Sequence, residues 1–144
     1  MSLNTIPINI RETYLMRDTI LKNRGYKSYQ EYLQSEHWKN TKIKAKKKGG
    51  YSTCEYCRSN KNIQLHHSRY TWIFTKYELR EVSALCAKCH EAIHYLTNKT
   101  SITLEKGGEV MDHYFRGHHT RCLYEINRDH LEILNQHFEA DTHG

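Results

Sequence analysis

The alternation of apolar and polar positions divides this chain into helical ends and a short-stranded middle. Asn9-x-x-Glu12 and Ser28-x-x-Glu31 each place a side-chain acceptor three residues before a glutamate, the form of a capping box, and each predicts a helix start. The first helix runs to about Asn23 and stops at Gly25, with Ile10, Tyr14 and Leu21 on a thin apolar stripe. The second carries Tyr29, Tyr32, Leu33 and Trp38 and continues through a polar run to Gly49-Gly50. Three β-prone pieces follow, Tyr51 to Thr53, Ile63 to His67 and Val82 to Leu85, separated by turn residues such as Ser59-Asn60-Lys61-Asn62. From Cys89 the string His90 to Leu96 has helical character, so the middle reads strand, strand, helix. No period emerges between Thr100 and Cys122, whereas Asp129-x-x-Glu132 opens a last helix with Leu131, Leu134 and Phe138 on one face.

Charge sharpens this division. Of the net +6, residues 1–99 hold 18 Lys and Arg against 8 Asp and Glu, or +10, and residues 100–144 hold 4 against 8, or −4. The expected organisation is N-terminal helices with a basic run (1–50), a central module (51–99) and an acidic, histidine-rich C-terminal extension (100–144). No apolar run approaches the ~20 residues of a membrane helix, which argues against a membrane partner. Met1 to Ile10 lacks the pattern of a secretory signal, so a reducing cytoplasm is the expected setting.

In that setting paired cysteines read as metal ligands before they read as disulfides. Cys54-x-x-Cys57 and Cys86-x-x-Cys89 form two knuckles suited to tetrahedral Zn²⁺, leaving Cys122 over. Burial as small hydrophobes does not explain the duplicated spacing. Four thiolates close the coordination shell, so this zinc is expected to be structural, and any chemistry must come from elsewhere. The 28-residue interval between the knuckles is longer than the ~15–20 of a simple zinc ribbon, room for a functional element.

That interval holds Leu65-His66-His67, and His90-x-x-x-His94 follows the last cysteine. On a helix, positions i and i+4 share a face, so His90 and His94 can point at one ion. On a strand, neighbours face opposite ways, so one of His66 and His67 can bind that ion while the other stays free as a base. Isolated histidines are usually plain surface residues; four at these spacings beside a zinc staple are read as a site.

The strings Cys54-Glu-Tyr-Cys57, Leu65-His66-His67-Ser-Arg-Tyr70 and Leu85-Cys86-Ala-Lys-Cys89-His90-Glu-Ala-Ile-His94 resemble the four-cysteine branch of the HNH endonucleases, the ββα-metal or His-Me finger nucleases. Tyr29-x-x-Tyr32-Leu33-x-Ser35-x-x-Trp38 is similar to the helix that often precedes that module, and the resemblance spans about residues 28–96. It implies an α+β fold, a small zinc-stabilised ββα-metal module flanked by N-terminal helices and a C-terminal helical extension. It also implies His67 as general base, and His66, His90 and His94 as ligands of a catalytic divalent ion. Mg²⁺ or Mn²⁺ suits phosphodiester hydrolysis, and all-imidazole ligation also favours Ni²⁺ or Zn²⁺. Where the family often has Asn, His or Asp five residues before the third cysteine, this chain has Glu81, a candidate to orient His67. Glu78, where the family often has an acidic residue, is read as an exposed structural carboxylate.

Lys39, Lys42, Lys44, Lys46, Lys47 and Lys48 form a basic run that suits a phosphate backbone, with Arg69 and Tyr70 beside the histidine site. The expected partner is nucleic acid, DNA before RNA. The rival reading is a non-catalytic zinc-binding nucleic-acid module, and a third is a protein-interaction adaptor. The acidic extension, with six histidines including His118-His119, reads as a regulatory or interaction element, with a homodimer interface among its possible roles.

Overall fold

Asn9 accepts the backbone N–H of Glu12 at 2.9 Å and opens α1 (Ile10–Asn23), which closes as Gly25 takes a φ of +90°. This is the computed structural model of the chain, and it describes residues 9–116 and 126–143, with side chains as far as 137. Ser28 caps α2 (Tyr29–Leu33) in the same way. The second predicted helix is in fact two. Ser35 interrupts it, its hydroxyl accepting from Trp38 N at 3.1 Å, and starts α3 (Glu36–Lys48) on a new axis. A serine that offers its own acceptor to the backbone competes with helix continuation, and here it wins. Gly49 and Gly50, both at positive φ, end α3.

The two strands, β1 (Ile63–His67) and β2 (Val82–Cys86), pair antiparallel with His66 opposite Ser83 and His67 opposite Val82. The β-prone piece at 51–53 forms no strand and enters the cysteine loop instead. Between the strands a loop ends in one 3-10 turn, Glu78–Glu81. β2 leads without a linker into α4 (Ala87–Thr100), whose cap is Cys86: its Sγ accepts from Cys89 N at 3.4 Å. A strand end, a knuckle and a helix start thus meet within the four residues from Cys86 to Cys89.

Beyond α4 lies α5 (Leu104–Phe115), where the sequence shows no period. Gly107-Gly108 hides it, since glycine lowers helix propensity by about 1 kcal/mol. Packing accounts for both glycines. A Cβ at 107 would stand 3.1 Å from Ile93 Cγ2, and one at 108 would press on the Tyr56 hydroxyl, so α5 approaches its neighbours closely only without those side chains. α6 (Arg128–His143) is capped by Asn127, whose Oδ1 accepts from His130 N at 3.1 Å, two residues earlier than the Asp129 cap predicted. Leu131 of α6 is buried and Leu134 partly buried; the side chain of Phe138, like His118, His119, Arg121 and Cys122, lies outside the described residues.

The result is an α+β architecture with six helices and one two-stranded antiparallel sheet among the described residues. Its buried side chains form one cluster running from Ile10 and Leu21 through Tyr32, Trp38 and the cysteines to Ile93, Leu104, Val110 and Leu131. No described helix is long and apolar enough to cross a membrane. Ile93, fully buried where α5 meets α4, tests this core. Ile93→Ala is expected to lower unfolding free energy by about 3 kcal/mol in urea titrations, and Ile133→Ala on the exposed face of α6 by less than ~0.5 kcal/mol.

Candidate metal centres and the histidine cleft

Cys54 and Cys57 come from the loop before β1, and Cys86 and Cys89 from the β2–α4 junction. All four are buried free thiols whose sulfurs lie within 4.8 Å of one another. Two thiolates at ~2.3 Å from one tetrahedral ion stand ~3.8 Å apart, and Cys57 Sγ and Cys86 Sγ are 3.6 Å apart. The Cys54 thiol is pulled down to about 4, chiefly by its hydrogen bond with Cys89 and against the effect of burial, which favours the thiolate form a metal binds. The four cysteines fit a structural zinc.

A second cluster forms from His66 on β1 and His90 and His94 on α4, whose ring nitrogens also converge within 4.8 Å. Helical spacing puts His90 Nε2 and His94 Nε2 3.0 Å apart. His66 meets both rings, at centroid distances of 5.0 and 5.9 Å. Three features fit this group to a cation. His66 Nε2 is buried with no hydrogen-bond partner, an arrangement costly for a nitrogen with nothing to bind. Gln64 Oε1 lies 2.7 Å from His90 Nδ1; an amide oxygen can only accept, so the proton sits on Nδ1 and Nε2 presents its lone pair to the cluster. Burial, followed by the neighbouring imidazoles, draws His66 down to about 3; burial and His94 draw His90 down to about 4; burial alone lowers His94. Neutral rings are the form that ligates.

His67 faces away from this cluster, as strand alternation requires, but it is not free. Its Nε2 lies 2.6 Å from Glu78 Oε2 and its Nδ1 2.8 Å from the Tyr29 hydroxyl, and the side chain is only 1% exposed. A carboxylate accepts, so Nε2 carries the proton and Nδ1 receives the Tyr29 O–H. Trp38 and Tyr70 pack on the ring, at centroid distances of 4.8 and 5.4 Å.

Two carboxylates therefore exchange their expected roles. Glu78, read from sequence as exposed, is 1% exposed and accepts from His67, Tyr32, the Phe74 amide and His37. Burial works to raise its pKa, but the hydrogen bonds from His67 and Tyr32 outweigh that and hold it below the usual carboxylate range. Glu81, the expected orienting residue, instead accepts from the Trp72 amide at 2.5 Å and fixes the loop, and burial raises its carboxyl. Positions 78 and 81 stand one 3-10 turn apart and both take amides of the same loop, from Phe74 and Trp72, but only Glu78 also reaches His67.

A cleft of about 890 Å³ runs between α1–α3 and the β1–α4 face and is lined by all four histidines. Of the basic run, Lys42 and Lys46, one turn apart, line it; Lys44, Lys47 and Lys48 do not. Arg69 pairs with Glu105 of α5 rather than standing unengaged, and Tyr70 is buried in the cleft wall. Arg17 and Gln64 were missed at the level of sequence. Gln64 had a signal, two residues before His66 and so on the same strand face; Arg17 lies on a distant helix and had none.

Metal analysis tests the two centres. Two equivalents of Co²⁺ per chain are expected, one with the near-ultraviolet thiolate absorption. His66→Ala should lose one equivalent and keep that absorption, and Cys57→Ser should lose the absorption together with the fold. Glu78→Gln replaces one acceptor oxygen with an amide donor among the donors of His67, Tyr32 and Phe74, and is expected to cost about 2 kcal/mol of stability in urea. No family model matches this chain, and neither does any curated protein or solved structure, so the reading of the site comes from its own geometry.

Proposed function

We propose that this protein is a metal-dependent endonuclease of the HNH type, hydrolysing phosphodiester bonds in nucleic acid, with DNA the first substrate to try. One observation carries the reading: adjacent strand residues serve two separate environments, His66 in a three-imidazole cluster able to hold a metal and His67 in a carboxylate-anchored site, both lining one cleft. The resemblance of the cysteine and histidine strings to the HNH family supports it.

In this mechanism His66, His90 and His94 would hold the divalent ion, and Gln64 orients His90. An ion such as Mg²⁺ or Mn²⁺ bound there, with Ni²⁺ or Zn²⁺ held more tightly, would supply positive charge to the scissile phosphate and its departing oxygen. Glu78 keeps the His67 proton on Nε2, which leaves Nδ1 as the basic atom that takes a proton from the attacking water. The Tyr29 hydroxyl holds that lone pair in the structure, so water reaches Nδ1 only when Tyr29 yields its hydrogen bond. Burial raises the Tyr29 phenol well above its ordinary value, which keeps it a neutral donor rather than a competing base.

A plasmid-nicking assay in Mg²⁺ or Mn²⁺ checks the reading. His67→Ala is expected to lower the cleavage rate at least ~100-fold, the usual contribution of a general base, with zinc content unchanged. Full cleavage by folded, zinc-loaded His67→Ala protein would show that the base is elsewhere. A wild-type protein that binds DNA but cuts no substrate would favour the non-catalytic binding module.

A further inference from the structure

The wall of the cleft facing the histidines is contributed by α1, α2 and α3. It carries Arg17, Lys42 and Lys46, and no described residue that lines the cleft is a carboxylate. Three fixed cations without a lining anion select an anionic ligand.

Arg17 is the unusual member. Its side chain is 15% exposed, and its guanidinium lies 4.6, 4.4 and 5.3 Å from the ring centroids of Tyr14, Tyr29 and Tyr70. Asp18 meets Nε at 3.0 Å, and no other carboxylate reaches the group within ion-pair distance among the described residues. A guanidinium withdrawn from water and layered on rings is pre-organised, and its terminal N–H groups suit the oxygens of a phosphate.

The shape of the site then selects the form of the strand. His66, the innermost ligand, is 4% exposed, and the cleft above it is the size of a pocket for a ligand of a few ring systems. Duplex DNA is stiff over ~150 base pairs and presents its phosphates on a convex surface, so it does not descend into such a cleft. A single strand bends and can place its bases on aromatic side chains, and the partly exposed Tyr14, Tyr29 and Tyr51 line the same cleft.

We propose that the cleft takes a single strand of nucleic acid, with Arg17 holding a phosphate beside the scissile one and Tyr14 supporting a base. This rests on the nuclease reading for the word scissile, but the binding surface is tested without turnover. Fluorescence anisotropy would use a labelled 12-nucleotide mixed-sequence DNA strand, alone and annealed to its complement, from 50 to 200 mM salt without added divalent ion.

The single strand is expected to bind at least tenfold tighter than the duplex. Arg17→Gln should reduce the slope of log affinity against log salt by ~0.7, the value for one phosphate contact on a single strand, and Arg17→Lys should preserve it. Tyr14→Ala should weaken single-strand binding about tenfold and leave duplex binding unchanged. Zinc content and near-ultraviolet circular dichroism report folding of each variant. Duplex binding as tight as single-strand binding overturns the proposal, as does an unchanged slope in folded Arg17→Gln. Should Arg17→Gln fail to fold, unchanged single-strand affinity in Tyr14→Ala overturns it. A protein that binds and cuts duplex equally well would refute this inference while leaving the nuclease reading intact. Failure to cut any strand with the single-strand preference present would do the reverse.

Discussion

A single buried carboxylate ties together the elements that shape the cleft. Glu78 receives the hydroxyl of Tyr32 from α2, His37 from α3, the Phe74 amide from the inter-strand loop and His67 from β1. A charge at that depth is stable only while its acceptor capacity is filled, so each donor is held in place by the same requirement. Phe74 shows the strength of that demand: it adopts a φ of +69°, unfavourable for an aromatic residue, while its N–H points at Glu78. The N-terminal helices are therefore bound to the strand that bears the histidines by a polar hub as well as by apolar packing.

The cysteine cluster acts at the other end of the same strands, where Cys86 lies opposite Ile63. It fastens the loop before β1 to the point where β2 becomes α4, and a hairpin of five-residue strands has little independent stability without such a fastening. Because Cys86 and Cys89 open α4, the position of the cysteines also sets the rotation of the helix. His90 and His94 then face β1 because they follow Cys89 by one and five residues. The structural centre thus positions the second cluster while supplying none of its ligands.

The strand alternation of His66 and His67 separates two kinds of imidazole chemistry by one residue. His66 is kept neutral and unpartnered, the condition for ligation, whereas His67 is saturated by hydrogen bonds and enclosed by rings. The enclosure gives His67 a fixed tautomer at the expense of open access, and any reaction at Nδ1 has to displace Tyr29 first. In the same cleft the lysines of α3 divide by helical period, with Lys42 and Lys46 turned inward and the rest of the run outside it.

Local spacing determined what lies within one element or one short loop: the caps at Asn9 and Ser28, the two cysteine knuckles, the i, i+4 histidines and the opposed faces of His66 and His67. Each follows from backbone periods that hold wherever the element forms. Tertiary structure decided the rest. Ser35 split a helix that its apolar stripe joined, and α5 was hidden by glycines whose reason is contact with Ile93 and Tyr56. Glu78 rather than Glu81 reached His67, because the fold of the inter-strand loop set Glu78 against β1 and Glu81 against the Trp72 amide, a choice no repeat pattern carries. Arg17 entered the cleft from a helix 49 positions before His66 in the chain, and only the folded backbone brings such distant residues together.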